Sequence, residues 1–207
     1  MSGLFITFEG PEGAGKSTQI QLLKAHLESE GHDVLCTREP GGTKIGEELR
    51  HLVKHVEGDD APCVESELLI FAASRAQLVQ KLILPHLEKD GIVLCDRFAD
   101  STTAYQGYAR GYDLEKIQIL HGIATAGRWP DITILMDITA EKSFERRESR
   151  GGTDRFEEEG RQFHEAVRDG FLKLNDLHKD RFHLIDAAGS IDDLQKQIRG
   201  IVANALS

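Results

Sequence analysis

The sequence predicts an α/β fold in which a five-stranded parallel sheet is flanked by helices on both faces. Three observations predict it. Five short apolar or β-branched runs alternate with helix-length amphipathic stretches. The runs show little polar alternation, as strands covered on both faces should. Gly10-Pro11-Glu12-Gly13-Ala14-Gly15-Lys16-Ser17 matches the pattern G-x-x-x-x-G-K-[ST] between a strand and a helix. The strand order is not legible in the sequence.

The predicted strands, in order, are Leu4–Phe8, Val34–Cys36, Ile92–Cys95, Ile132–Met136 and Phe182–Ile185. The predicted helices are Lys16–Glu30, Ile45–His55, Ser66–Lys89, Leu114–Ala126, Ala140–Ser149, Gly160–Leu177 and Ile191–Leu206. The first carries Ile20, Leu23 and Leu27 on one face. Gly31 and Gly91 stand where helices must stop and turn into strands. Glu57–Pro62 reads as an acidic loop. Arg150–Glu159 has polar turn chemistry between two helical patterns, which makes residues 147–159 a candidate lid. No repeat, low-complexity tract or linker divides the chain, so one domain spanning residues 1–207 is expected.

The chain has 207 residues and a formal net charge of −10. Such an acidic chain is a poor candidate for holding nucleic acid or an anionic membrane by bulk electrostatics. An anionic ligand must instead meet a local concentration of positive charge. Cys36, Cys63 and Cys95 form no Cys-x-x-Cys pair and are odd in number, which fits buried thiols in a reducing compartment. The N-terminus lacks the pattern of a secretory signal, and the longest apolar run, Leu68 to Ala73, is too short to span a bilayer. A soluble, cytoplasmic protein is expected.

The glycine-rich loop implies nucleotide binding. Its glycines let successive backbone N–H groups converge on phosphate oxygens at the positive end of a helix. Lys16 would meet the β- and γ-phosphates, and the Ser17 hydroxyl is a ligand for Mg²⁺. A GTP-dependent switch would also need Asn-Lys-x-Asp to read the base, and the sequence has none. Asp186-Ala187-Ala188-Gly189 matches D-x-x-G only after the last strand, where no such switch belongs. His51 and His55 have metal-like spacing but no evident third ligand.

Two other strand ends carry chemistry. Asp96-Arg97 follows Ile92–Cys95, and Arg38 follows Val34–Cys36, each at the C-terminal edge where ligands bind parallel sheets. Asp96 can hold water on Mg²⁺, and Arg38 and Arg97 can clamp phosphate. Six arginines fall between Arg146 and Arg168. Arg161 and Arg168 read as solvated helix positions paired with neighbouring glutamates. Arg147, Arg150 and Arg155 flank the flexible Gly151-Gly152 step and are placed to close over a triphosphate. One triphosphate does not need all of these cations; two phosphorylated ligands would.

Over nearly its whole length, and in order, the chain resembles the thymidylate kinases. Phe8-Glu9-Gly10 through Thr18 resembles their phosphate loop, and Thr37-Arg38-Glu39-Pro40-Gly41-Gly42-Thr43 their second motif. Leu68–Arg75 is similar to their thymine-reading helix. Asp96–Ser101 with Ala104-Tyr105-Gln106-Gly107 is similar to their Asp-Arg-Tyr segment, and Pro130–Thr133 and Asp154–Glu157 complete the set. Phe98 departs from the family's usual Tyr or His. Thr139 and Lys44 each replace a common proline.

The resemblance implies a nucleoside monophosphate kinase-like fold that moves the γ-phosphoryl of ATP to dTMP with Mg²⁺. It implies ATP at Gly10–Thr18, and Mg²⁺ at Ser17 and Asp96. It places dTMP against Glu12, Arg38, Glu39, Pro40, Phe71, Arg75, Arg97, Ser101, Thr102, Tyr105 and Gln106. Within that set, Phe71 would stack on thymine, Arg75 would bond its O4 and Thr102 would lie at its N3 edge. Tyr105 would crowd C2′, and Glu12 would take the 3′-OH. Glycine at position 13, with arginines in the lid, matches the bacterial-type arrangement. The catalytic set is then Lys16, Arg38, Arg97, Arg147, Arg150 and Arg155, and the Asp186–Ser190 loop would lie against adenine. A homodimer is expected by the same resemblance. Other nucleoside monophosphate or deoxynucleoside kinases, and a non-enzymatic nucleotide switch, are the alternatives.

Overall fold

The computed structural model describes residues 3–148, 156 and 159–206, with the backbone alone at 147 and 148. Five strands form one parallel sheet: β1 (Leu4–Glu9), β2 (Val34–Arg38), β3 (Ile92–Asp96), β4 (Ile132–Asp137) and β5 (Phe182–Asp186). Their order is β2-β3-β1-β4-β5, with β1 in the centre. Alternate residues of each strand serve opposite faces. Ile6, Phe8, Ile92, Leu94, Ile134 and Met136 join one core with α1 (Lys16–Ser29) and α9 (Ile191–Leu206). Phe5, Val93 and Cys95 face the other way, onto the helix that begins at Val64. This two-sided burial accounts for the missing polar alternation.

Between these elements lie α2 (Lys44–His55), α3 (Val64–Leu78), α4 (Leu84–Leu87), α5 (Ala99–Thr102), α6 (Leu114–Ala124), α7 (Ala140–Glu148) and α8 (Arg161–Leu177). Every predicted strand and helix is present, with ends moved by a residue or two. The predicted helix Ser66–Lys89 is α3 and α4 joined by a π-helical stretch at Val79–Ile83. Pro85 follows two residues after it; it lacks an N–H, and its ring would crowd the carbonyl four residues back. The run Val64–Leu87 is 24 residues long and apolar enough by composition to cross a membrane, although its most apolar segment alone is short. In the fold its Leu68, Leu78, Val79, Ile83 and Leu87 are buried against the protein.

One element escapes the apolar pattern. After β3 the chain forms α5 and then a π-helical segment, Thr103–Ala109. Thr102, Thr103 and Gly107 are weak helix formers, so local sequence gives little sign of it. Tertiary packing supplies the reason. Gly170 of α8 has no Cβ, and one added there would come within 2.9 Å of Tyr108, so glycine lets α8 lie directly on this segment.

Arg181, just before β5, fastens α5 from behind. Its two terminal nitrogens each donate to Asp100, both at 2.8 Å, and Nη1 also donates to Thr133 Oγ1 at 2.8 Å. Both side chains are nearly inaccessible. Removing one partner would leave the other charge buried and uncompensated. Arg181→Ala is expected to lower the unfolding free energy by about 3–5 kcal/mol, which urea denaturation would measure.

Candidate active site

The parallel register puts three strand ends on one rim. Arg38 of β2 pairs with Asp96 of β3, and Phe8 of β1 pairs with Asp96 from the other side. The loop Gly10–Gly15 leaves the end of β1 on this rim and enters α1 at Lys16. Gly10 has φ 124° and touches the Met136 carbonyl so closely that a Cβ would collide with it. Gly15, at φ 89°, caps α1. Both positions require glycine. Ala14 is buried, while Ser17 and Thr18 face outward.

Lys16 is buried and donates back to the loop, to Gly10 O at 3.1 Å and Pro11 O at 2.8 Å. Burial holds its pKa below the ordinary lysine value, with Arg97 adding to the effect. Ser17 Oγ donates to Asp96 Oδ2 at 3.0 Å. The pair therefore already stands together at the loop's mouth.

Beside the loop lies a cavity of about 360 Å³. Of the residues expected to hold dTMP, all eleven line it: Glu12, Arg38, Glu39, Pro40, Phe71, Arg75, Arg97, Ser101, Thr102, Tyr105 and Gln106. Ser17 and Asp96 line the same space. Phe71 is half-buried at the cavity wall and packs on Phe156, their ring centroids 5.9 Å apart. Tyr105 lies 6.3 Å from Phe156 on the other side. The chain has three tyrosines, Tyr105, Tyr108 and Tyr112. Tyr108 packs on α8, and only Tyr105 of the three faces the cavity.

Arg97 occupies a left-handed backbone conformation, φ 69°, which is uncommon outside glycine and Asn/Asp. Its Nη2 donates to Glu12 Oε1 at 2.9 Å and to the Tyr105 hydroxyl at 3.2 Å, and its Nη1 donates to Ser101 Oγ at 3.1 Å. Arg97, helped by Lys16, holds the Glu12 carboxyl well below the usual carboxylate range. Burial drives the Tyr105 phenol up to about 12, so it is a neutral donor at physiological pH. Arg38 stands at the cavity mouth, where its Nη2 meets both oxygens of Glu47, at 2.9 and 3.1 Å.

Arg75 is almost wholly enclosed, which its charge did not announce. Its Nε donates to Glu39 Oε2 at 2.8 Å, and Nη2 lies 2.7 Å from the same oxygen. Nη2 also donates to Thr102 Oγ1 at 2.9 Å. Burial raises the Glu39 carboxyl to about 7, against the opposing pull of Arg75. Glu39 Oε1 is buried at the cavity without a hydrogen-bond partner. Behind the guanidinium, His121 Nδ1 lies 3.4 Å from Arg75 Nη1 and Nε2 lies 3.0 Å from Thr103 Oγ1. Burial, reinforced by Arg75 and Arg181, pushes the imidazole down to about 3. A neutral ring facing an arginine must present Nδ1 as its acceptor.

The predicted catalytic arginines Arg150 and Arg155 lie outside the described residues. Arg147 is described only as part of α7. The solvated reading of Arg161 holds, with Glu165 as its partner at 2.8 Å. Arg168 is different: its Nε and Nη2 both grip Asp137 at the end of β4, each at 2.7 Å, so it ties α8 to the sheet. Arg146, which the sequence does not single out, donates to Gly13 O and to Ala187 O, both at 3.2 Å. It joins the phosphate loop to the loop after β5. Among the described residues, no group of three or more His, Cys, Asp or Glu side chains is arranged to hold a metal ion, and His51 and His55 stand only beside each other.

Glu9 was also not foreseen. It is fully buried under the rim, where Oε1 accepts from Phe98 N at 2.7 Å and Oε2 meets Ser101 Oγ at 2.6 Å. It thereby ties the end of β1 to the start of α5. Burial, then the nearby Asp100, push its carboxyl up to about 8. Between about pH 4.5 and 8 the folded state therefore binds a proton that the unfolded state has released, so Glu9 lowers stability as pH rises through that window. Glu9→Gln is expected to flatten the loss of stability between pH 5 and 8, read from urea midpoints at each pH.

The comparisons with known proteins agree with this geometry. A sequence model of the family described as thymidylate kinase matches residues 8–198. The thymidylate kinase of Caldanaerobacter subterraneus is 47% identical over 198 residues, covering 96% of this chain and 94% of that one. That of Pseudomonas entomophila is 44% identical over 206 residues, covering 100% and 98%. Among solved structures, thymidylate kinase from Ehrlichia chaffeensis superposes with a TM-score of 0.79 at 35% identity, covering 98% of this chain and 99% of that one. With the phosphate loop, the Asp96-Arg97 corner and the aromatic cavity all on one rim, the chain belongs to the thymidylate kinase family.

Proposed function

We propose that the chain transfers the γ-phosphoryl of ATP to the phosphate of dTMP, giving dTDP and ADP. One observation carries the reading: a cavity with an aromatic wall and a buried arginine opens beside a phosphate-binding loop, on the same strand ends. Two anionic ligands meet there. ATP takes the loop Gly10–Thr18, its phosphates replacing the backbone carbonyls that hold Lys16. The dTMP base lies between Phe71 and the Arg75–Thr102 edge, and its phosphate reaches Arg97 and Arg38.

The cation the reaction uses is Mg²⁺. The residues present fit it, since Ser17 and Asp96 offer only oxygen atoms, which suit a small hard ion completed by water and phosphate. When bound, it neutralises charge on the phosphates being separated.

The remaining chemistry is positioning. The second pKa of a phosphate monoester is about 6, so the attacking oxygen is already ionised at neutral pH and needs no general base. The barrier is the approach of one anion to another. Lys16, Arg38 and Arg97 lower it by electrostatics, together with the lid arginines Arg147, Arg150 and Arg155. Glu12 takes the sugar hydroxyl and leaves Arg97 to the phosphate. Tyr105, wedged against Phe156, closes the cavity over the deoxyribose.

The same reading covers the assembly. Residues 1–207 act as one domain with a lid near residues 147–159, in the cytoplasm, without nucleic acid or membrane as partner. Net charge of −10 and three free thiols support this. Leu69, Ile119 and Ile123 are 56%, 66% and 72% exposed on the adjoining helices α3 and α6, which supports a homodimer.

Turnover measured side by side with dTMP, dUMP, AMP, GMP and thymidine tests the function. Preference for dTMP is expected, and preference for thymidine or a purine nucleotide would reject the reading. Lys16→Ala is expected to cut kcat by at least about a thousandfold, the scale of removing a principal phosphoryl-charge stabiliser. Calorimetry should show its dTMP affinity changed by less than about threefold, well under the tenfold that 1.4 kcal/mol represents.

A further inference from the structure

Gln106, in the cavity wall, and Glu67, behind it, form a buried pair. Both are 1% exposed. Gln106 Nε2 donates to Glu67 Oε1 at 2.7 Å, and Arg110 Nε donates to the same oxygen at 3.1 Å. A carboxylate only accepts, so it admits the amide nitrogen of Gln106 and refuses its oxygen. The amide thus has one permitted orientation. Gln106 lines the cavity, and its Oε1 takes no donor among the described residues. The oxygen is what remains for a ligand.

The neighbouring groups present the opposite polarity. Gln106 lies four residues after Thr102, whose hydroxyl is bonded to Arg75 Nη2 at 2.9 Å. Arg75 carries donors only. Both side chains line the cavity, Arg75 bringing donors and Gln106 an acceptor. The complement is a ring carbonyl next to a ring N–H, the imide edge of thymine or uracil. Cytosine presents an amino group next to an unprotonated nitrogen, the reverse pattern. Buried polar groups that lose their partners make such a mismatch expensive.

We propose that Glu67, which touches no substrate, is a positioning residue that sets the specificity of the site: by fixing the Gln106 amide with its oxygen toward the cavity, it restricts the acceptor to pyrimidine nucleotides with an imide edge. Arg110 holds Glu67 in place and is itself held. Its guanidinium lies 5.0 Å from the Phe163 ring centroid and 5.7 Å from that of Phe156, and Nη2 is 2.9 Å from Glu159 Oε1. The inference rests on dTMP occupying this cavity.

The test compares kcat and KM for dTMP, dCMP and ATP in the wild-type chain, Glu67→Gln, Gln106→Leu and the double variant. In Glu67→Gln the partner can donate as well as accept, so the Gln106 amide is free to turn. The dTMP KM is expected to rise about tenfold, on the scale of one buried hydrogen bond, with kcat and the ATP KM within about twofold. The preference for dTMP over dCMP should fall by a similar factor. Adding Glu67→Gln to Gln106→Leu should change neither quantity further, because Glu67 acts through that amide. An undiminished effect of Glu67→Gln in the Gln106→Leu background overturns the proposal, as does an unchanged dTMP preference in the single variant. A dTMP-bound crystal structure of the wild-type chain decides the matter even if a variant fails to fold. Gln106 still joined to Glu67, with its other terminal atom within hydrogen-bond reach of the ring N3, is expected; an amide turned away from either overturns it. Wild-type turnover of dTMP separates this outcome from failure of the proposed reaction, which would abolish it.

Discussion

The site depends on compensating buried positive charge before any anion arrives. Three of the described arginines lining the cavity pair with a carboxylate, Arg97 with Glu12, Arg75 with Glu39 and Arg38 with Glu47, while Arg50 donates to the Pro40 carbonyl. Lys16, lacking such a partner within hydrogen-bond reach, turns to two backbone carbonyls. An isolated guanidinium or ammonium with the burial of Arg75 or Lys16 would be very costly. The site therefore carries its own internal anions beside these cations, and the chain's excess of acidic residues is partly of this kind.

Substrate binding is then an exchange of partners within a prepared frame. In the proposed reaction a phosphate at Arg97 would compete with Glu12, and the freed carboxylate would suit a sugar hydroxyl. Arg75 would need no such exchange, because Glu39, Thr102, His121 and the Phe98 carbonyl already hold its guanidinium in place. The contrast has a physical origin. On the proposed reading the phosphate end would change partners during turnover, whereas the base end would need only a fixed pattern of donors and acceptors. The frame itself is rigid: Glu9 ties β1 to α5, and Arg181 fastens α5 from the opposite side. The acceptor pocket is thereby built on the four residues of α5 and the wide helical segment that follows.

Much of this was legible in the sequence for a simple reason. Ile6, Phe8, Leu94 and Ile134 are apolar because both sheet faces are covered, and the glycines at 10 and 15 are required by backbone conformation. Such residues report their environment locally. The strand ends followed, because a parallel sheet collects its C-terminal residues on one rim. The residues of the cavity, by contrast, came largely through likeness to a known family. Phe71 read from its neighbours alone is an ordinary core residue, and the structure makes it a wall. Glu9, Glu67 and Arg110 left no local signal at all. Each is an ordinary charged residue on paper, and its role comes from partners 92, 39 and 43 positions away.

The sequence by itself determined the class of fold, the phosphate loop and the rim on which chemistry is assembled, because periodicity, glycine and strand ends act over short range. Tertiary structure alone decided the strand order, the helix after β3 and the pairing of every buried charge. Those depend on which distant groups share a small volume with little water to screen them. There a few tenths of a nanometre settle whether an arginine reads a ligand, holds an enzyme loop or fastens a helix.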